Sequence, residues 1–331
     1  MKLSVILITH NSREMTLANA RRAAEALSAA GLGPHEGELL VVDNGSGDGT
    51  AEALASRLPE ARVLRAPDNL GYARAANLGA RAATGGTLLF LNSDAELTGE
   101  ALKALRGTFL SHPRAGAVGA FLLNPDGSPQ RSADGTPTLL SELGAKSLLR
   151  LLDPGRFPSV KPGISPVAVP TLVGACQALS REAFDAVGGF DERFFMFLEE
   201  TDLCLRLRQL GWQVFVAPAA RVTHGQGRTA RRALPRARVE YDLSRYRFFR
   251  KHRGLVAVVL LYAGTLARLL GGVLLNGVAM ILTLGRHCRW RDRAVSQGYR
   301  LAWHLVFCPA GWGLEGLDIE ADADMAVPVA S

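Results

Sequence analysis

The tightest constraint on this chain is Leu88–Leu97, LLFLNSDAEL, where an apolar run drives straight into Asn92-Ser93-Asp94. Four or five apolar residues ended by polar ones read as a parallel strand buried on both faces. Its polar end then lies at the carboxyl edge of the sheet, where open α/β sheets bind ligands. A carboxylate there is placed to face a divalent cation and a phosphate-bearing ligand. A purely local reading competes: Asp94 or Thr98 caps a helix that starts near Gly99.

The flanking chain repeats the pattern and weighs against the local reading. Residues 3–9 are β-branched and apolar, and His10-Asn11-Ser12 ends them. This predicts a first strand, not a signal peptide, because no small-residue cleavage pattern follows. An Ala-rich helix is predicted over 13–30, stopped by Gly31, Gly33 and Pro34. A strand over 38–42 ends in DNGSGDGT, so Asp43 leaves the sheet into a tight glycine turn. A helix over 51–58, a strand over 62–65 and a helix over 72–83 follow. Arg74 and Asn77 are three residues apart on the last of these, so both can face one ligand. Strands alternating with helices predict a doubly wound parallel sheet, with Asn11, Asp43 and Asp94 along one edge.

The second half is less regular. A helix over 101–110 and a strand over 115–120 lead into 122–170, which holds eight prolines. That composition predicts an irregular, substrate-facing loop, with a short helix around 139–152. Helices over 181–187 and 200–210 and a strand over 213–217 come next. Glu199, Glu200 and Asp202 crowd the first turn of the second helix, behind Phe194, Phe195 and Phe197. Acids suit a helix start for structural reasons. Three of them among aromatics also raise one another's pKa toward the range of a general base. His224, between a strand and glycines, is either an ordinary structural histidine or a metal or phosphate ligand.

Composition narrows the class. With 48% hydrophobic and 21% charged residues, the 331-residue chain is globular and long enough for a large core. Four cysteines without CxxC spacing fit a reducing compartment. The net charge of +7 is local: residues 221–253 carry eleven Arg or Lys and two acids, while the remainder is slightly acidic. Residues 255–284 are strongly apolar, but Arg268 splits them into pieces short for a crossing, and both flanks are basic. This predicts helices lying in a membrane interface, or a shallow hairpin, with the basic stretch meeting anionic lipid or a lipid-linked phosphate. Packing on the globular core or on another subunit is the alternative. The aromatics near 241–249 form no nucleic-acid module, so no nucleic-acid partner is expected. Residues 316–331 read as a disordered acidic tail.

Six blocks, in order, carry a family resemblance: SVILITHNS, VVDNGSGDGT, NLGYARAANLGA, LLFLNSDAEL, the stretch VGACQALSREAF through EETDLCLRLRQLGW, and VTHGQGRT. Together they resemble the family-2 glycosyltransferases, nearest the bacterial rhamnosyltransferase-like branch. The resemblance implies a GT-A fold over 1–227: a Rossmann-like, mostly parallel sheet flanked by helices. A helical, membrane-associating extension over 228–315 and the tail 316–331 complete the expected organisation. It also implies an inverting transfer of a sugar, rhamnose among the candidates, from a nucleotide-sugar donor to a lipid-linked or polysaccharide acceptor. Mg or Mn is the implied cofactor.

By the same resemblance Thr9, Asn11, Asp43, Arg74, Asn77, Asn92 and Ser93 contact the donor. Asp94 and His224 serve the metal, and Glu200, Glu199 or Asp202 is the base. Asn92 stands where the family's DxD motif has its first Asp, and Glu200 replaces the usual Asp of its ED pair. The expected location is cytoplasmic, peripheral on the inner face of the cell membrane or embedded through 255–284, with oligomerisation left open. Two other readings compete: a nucleotidyltransferase, and a non-catalytic protein that binds a nucleotide sugar or lipid.

Overall fold

The computed structural model describes residues 2–144, 158–225, 234–284 and 286–315. In chain order the elements are β1 (Leu3–Thr9), α1 (Arg13–Ala29), β2 (Gly37–Asp43), α2 (Thr50–Arg57), β3 (Arg62–Arg65), α3 (Tyr72–Ala82), β4 (Thr87–Asn92), β5 (Ala95–Glu96), α4 (Gly99–Ser111), β6 (Ala115–Leu123), β7 (Ala133–Asp134), α5 (Leu139–Leu143), β8 (Val167–Ala168), β9 (Thr171–Leu172), β10 (Cys176–Ser180), α6 (Arg181–Ala186), α7 (Glu199–Gln209), β11 (Gln213–His224), α8 (Leu234–Leu282) and α9 (Cys288–Leu305). Within the described residues, one compact unit holds 2–136, 158–194 and 199–225. The other holds 137–144, 195–198 and the chain from 234 onward.

The first unit is built on a sheet of order β3-β2-β1-β4-β10-β6-β11-β5, with β8 beside β11. Strands β1 to β4 pair in parallel, and so do β6 and β11. β10 runs antiparallel between β4 and β6, and β5 and β8 pair antiparallel with β11. The sheet is therefore mixed and mostly parallel, as expected, with β10 as the antiparallel strand at its middle. The register puts alternate residues of each strand into two cores. Val5, Leu7, Val41 and Leu89 pack on one face under α1 and α4. Ile6, Ile8, Val42 and Phe90 pack on the other under α3, α6 and α7. Both faces are covered, which explains why β1 and β4 are continuous apolar runs.

Residues 122–144 and 158–170 of the Pro-rich stretch lie within the described residues. Residues 124–134 form a turn and a strap: Asn124 N–H donates to the Ser128 carbonyl at 2.8 Å, and β7 pairs with β9. Thr138 caps α5, while the remainder of the expected helix over 139–152 lies outside the described residues beyond Gly144. The expected acidic tail also lies outside them.

The second unit is helical. α8 is broken at Gly254, whose φ of 82° and ψ of 177° are open to glycine and strained for other residues. The basic run is not all surface. Arg245 is buried and pairs with Glu142 at 2.9 Å and Asp242 at 2.9 Å. Arg300 closes on the same Asp242 with two bonds of 2.8 and 3.0 Å. This corrects the expectation of a wholly lipid-facing basic patch: Arg245 balances buried carboxylates that its own sequence neighbourhood only half reveals.

Candidate active site at the carboxyl edge of the sheet

The ends of β1, β2 and β3 are laced into one surface. Asn11 has a left-handed φ of 44°; its N–H donates to Ser46 Oγ at 2.9 Å and its Oδ1 accepts from Gly47 N–H at 2.8 Å. Asp43 is buried, and its Oδ1 accepts from Ser46 N–H at 3.1 Å. Asn44 Nδ2 donates to Asn69 Oδ1 at 3.0 Å, while its Oδ1 accepts from Leu70 N–H at 2.9 Å. Gly45 has a φ of 73°, and a Cβ there would lie 2.4 Å from the Asp68 carbonyl carbon, so only glycine fits. Arg74 is exposed on the first turn of α3.

At the end of β4, Asn92 N–H donates to the Ala175 carbonyl at 2.9 Å, and the Ser93 carbonyl accepts from Asn19 Nδ2 at 2.6 Å. The two-residue strand β5 then pairs with the end of β11, setting His224 opposite Ala95. That register brings His224 Nε2 to 3.3 Å from Asp94 Oδ1. Gln130, on the strap, holds the other side of the ring: its Oε1 lies 2.8 Å from His224 Nδ1. Its amide orientation is set by two acceptors, since Nε2 donates to Asn124 Oδ1 at 3.1 Å and to the His224 carbonyl at 3.3 Å. Oε1 must therefore accept, and Nδ1 carries the proton. His224 Nε2 then faces the Asp94 carboxylate. Nε2 is buried and makes no hydrogen bond among the described residues. An imidazole nitrogen and a carboxylate this close together are a donor set suited to a divalent cation. Among the described residues no third His, Cys, Asp or Glu joins the pair.

The second carboxylate group opens α7. The chain enters this helix through two left-handed residues, Phe197 (φ 71°) and Leu198 (φ 64°). Burial, the largest cause, pushes the Glu200 carboxyl up to about 7, with Asp134 adding to the rise. The backbone N–H groups of Glu200 and Thr201, and Arg131, oppose it. Glu200 Oε2 has no hydrogen-bond partner among the described residues. Tyr72 and Gln177 stand close by. Burial, followed by the charges of Glu199 and Glu200, raises the Tyr72 hydroxyl well above its ordinary value, and it stays protonated. Its Oη donates to the Gly174 carbonyl at 3.4 Å. Glu199 is also buried.

The strap joins the two carboxylate groups. Gln130 holds His224, while Arg131 and Asp134 act on Glu200. Ser132 receives the Val173 N–H at 3.0 Å, just ahead of the Ala175 carbonyl that meets Asn92. The 173–175 segment that meets the strap and Asn92 also passes Glu200, whose Cβ lies 3.6 Å from where a Cβ on Gly174 would stand.

Comparison with known proteins agrees with this layout. The model of glycosyl transferase family 2 matches residues 4–188, more than half of the chain. The chain belongs to glycosyl transferase family 2. It is similar to the N-acetylglucosaminyl-diphospho-decaprenol L-rhamnosyltransferase of Mycobacterium tuberculosis, 36% identical over 204 residues. That match covers 56% of this chain and 66% of the relative, so it spans just under two thirds of the relative's length. It is also 26% identical over 213 residues to the low-salt glycan biosynthesis hexosyltransferase Agl10 of Haloferax volcanii, covering 62% of each. Among solved structures, the mannosyltransferase PcManGT from Pyrobaculum calidifontis superposes with a TM-score of 0.51 at 18% identity. It covers 93% of this chain and 86% of that one. The fold of this family 2 chain is of the GT-A type.

Three expected site residues of the family 2 chain make hydrogen bonds within the protein. Asn77 is buried; its Nδ2 donates to the Phe190 carbonyl at 2.9 Å and to Glu192 at 3.0 Å, and its Oδ1 accepts from Phe190 N–H at 3.0 Å. Its amide thus holds the turn before α7. Asp202 is fully buried against Arg206 at 2.7 Å, and Arg206 also donates to the Val187 and Gly189 carbonyls at 2.5 and 2.8 Å. Thr9 packs its hydroxyl against those of Ser12 and Thr16 at 2.9 and 2.6 Å, supporting the edge from beneath. Sequence reasoning missed Gln130, Tyr72 and Gln177. Gln130 sits in a Pro-rich stretch with no periodicity, and no spacing in the sequence marks it.

Proposed function

We propose that this chain is an inverting glycosyltransferase that moves a sugar from a nucleotide-sugar donor to a lipid-linked or polysaccharide acceptor in cell-surface glycan synthesis. The observation that supports this is His224 Nε2 held 3.3 Å from Asp94 Oδ1 while Gln130 fixes the other side of the ring. The residues fit Mg or Mn: an imidazole nitrogen and a carboxylate, with a second residue fixing the ring. PcManGT was solved with GDP-Man and Mn2+. When bound, such an ion neutralises negative charge on a diphosphate leaving group.

The remaining roles belong to the chain. The β1–β3 loops, with Asp43 and Asn11, receive the nucleotide, and Arg74 reaches the donor from α3. Asn92 and Ser93 line the end of β4. Glu200 accepts the proton of the acceptor hydroxyl as that oxygen attacks the anomeric carbon opposite the leaving diphosphate, which inverts the configuration. Glu199 helps keep the Tyr72 hydroxyl protonated. The family match sets aside the nucleotidyltransferase reading. The rhamnosyltransferase relative motivates a rhamnose donor and a polyprenyl-diphosphate acceptor. The second unit holds the enzyme at the cytoplasmic surface of the membrane, where such an acceptor is found.

The test measures donor hydrolysis and transfer across a panel of nucleotide sugars, with and without Mn2+. It uses wild type, Asp94→Ala, His224→Ala and Glu200→Gln. All three variants should lose transfer, and Glu200→Gln should keep metal-dependent donor binding. Unchanged turnover in the variants defeats the site. Tight donor binding without turnover on any acceptor assigns a non-catalytic binding protein instead.

A further inference from the structure

Beyond Gly254, α8 has two unlike sides. Ala257, Leu261, Thr265, Leu269 and Asn276 are buried. Against that side runs α9, antiparallel: Tyr262 Oη donates to the His304 carbonyl at 2.7 Å, and Asn276 Nδ2 donates to Gln297 Oε1 at 2.8 Å. The opposite side presents Val256, Val259, Leu270, Leu274, Val278 and Ile281, between 46 and 75% exposed. Their spacing is that of one helical stripe. α9 argues against a crossing, because it carries Arg291, Asp292, Arg293 and Arg300 alongside the apolar stretch. Arginines in the middle of a bilayer are strongly disfavoured. Only the outer stripe of α8 suits hydrocarbon.

The end of α9 adds a second apolar feature. Leu305, Val306 and Phe307 are all exposed, Phe307 at 89%. Phe307 occupies the left-handed position just past the helix, φ 61°, where glycine is the usual residue, and Cys308 follows at 58°. The turn is pinned. Phe307 N–H donates to the His304 carbonyl at 3.0 Å, and Cys308 N–H to the Trp303 carbonyl at 2.9 Å. Trp303 Nε1–H donates to the Pro309 carbonyl at 3.0 Å. The backbone thus presents the ring outward, at a conformational cost that an aromatic side chain need not bear on a water-facing turn.

Because Tyr262 holds His304, this turn stands beside the first turns of α8 past the kink. Leu255 and Val256 are exposed there, and Arg250 and Arg253 are exposed just before them. Between residues 255 and 314 the only acid is Asp292. A basic rim around an apolar face complements an anionic bilayer.

We propose that Phe307, with Leu305 and Val306, is a wedge that enters the acyl boundary of an anionic bilayer beside the outer stripe of α8, which lies in the interface without crossing it. This rests on the membrane reading above and adds the element that seats it. The test is co-sedimentation of the full chain with phosphatidylglycerol–phosphatidylcholine vesicles, for wild type, Phe307→Asp, Phe307→Gly and Leu274→Asp, alongside thermal melts and light scattering. Wild type should bind. Phe307→Gly should bind at least about tenfold more weakly, the loss expected for an unburied aromatic ring. It should also melt no lower, because glycine relieves the left-handed turn. Phe307→Asp should bind more weakly still, and Leu274→Asp should also lose affinity. Wild-type binding with both Phe307 variants unchanged overturns the wedge and leaves the membrane reading standing. No binding by wild type at any lipid composition overturns both. A wild-type dimer that Phe307→Asp splits, without vesicle binding, assigns the face to a second copy and overturns the proposal.

Discussion

Glu200→Gln separates what the proposed base does for chemistry from what its burial costs the fold. An ordinary glutamate titrates near 4.5, and burial holds this one at about 7. The folded carboxyl therefore keeps its proton more tightly than the unfolded one. Its contribution to stability is complete below 4.5 and is lost as pH rises toward 7, where the folded chain must carry a buried charge. A rise of that size corresponds to about 3 kcal/mol. Glutamine has no proton to lose. The stability of Glu200→Gln relative to wild type should therefore grow by about 3 kcal/mol between pH 4 and pH 8, read from paired urea melts. Activity moves the other way. Wild-type kcat/KM should climb about tenfold per pH unit below 7 and level off above it, because only the ionised form accepts the hydroxyl proton. The variant should lose about 10²- to 10⁴-fold with no acid limb left. Two results refute the reasoning: parallel stability curves for both proteins from pH 4 to 8, or a wild-type rate flat through pH 7.

Further outcomes follow from the same geometry. Gln130→Ala frees the His224 ring and should weaken Mn2+ activation about 10- to 100-fold, read as a shift in the metal concentration giving half-maximal rate, with thermal stability little changed. Arg206→Ala removes the guanidinium 2.7 Å from the buried Asp202 carboxylate. It should cost about 3–5 kcal/mol in urea melts, and a wild-type midpoint would show that the pair is not structural. Gly45→Ala forces a Cβ into the Asp68–Asn69 backbone at a left-handed φ. It should destabilise by about 2–3 kcal/mol and weaken nucleotide binding by calorimetry.

The order of strands and helices through β4 was legible because apolar period and turn chemistry are local properties. The carboxyl-edge position of Asp94 followed from them. The middle of the sheet was not legible. β10 enters antiparallel between β4 and β6, and nothing in CQALS states which neighbours it finds. Residue type and spacing also nominated Asn77 and Asp202, since both stand near motif residues. Their roles were decided by what arrived beside them: the Phe190 backbone for one and the Arg206 guanidinium for the other. Arg245 likewise reads as part of a surface charge run until Glu142, a hundred residues earlier, closes on it.

By itself, then, the sequence determined the alternation of buried strands and helices, the polar residues at strand ends, and the presence of a long apolar segment near the basic run. These depend on side-chain period and local backbone preference. The tertiary structure alone decided which polar groups are available for chemistry. A side chain's pKa and free hydrogen-bonding capacity depend on burial and on partners far away in the chain. His224 faces Asp94 only because a two-residue strand pairs across the sheet, and Gln130 sets its proton only because a Pro-rich strap folds back onto it.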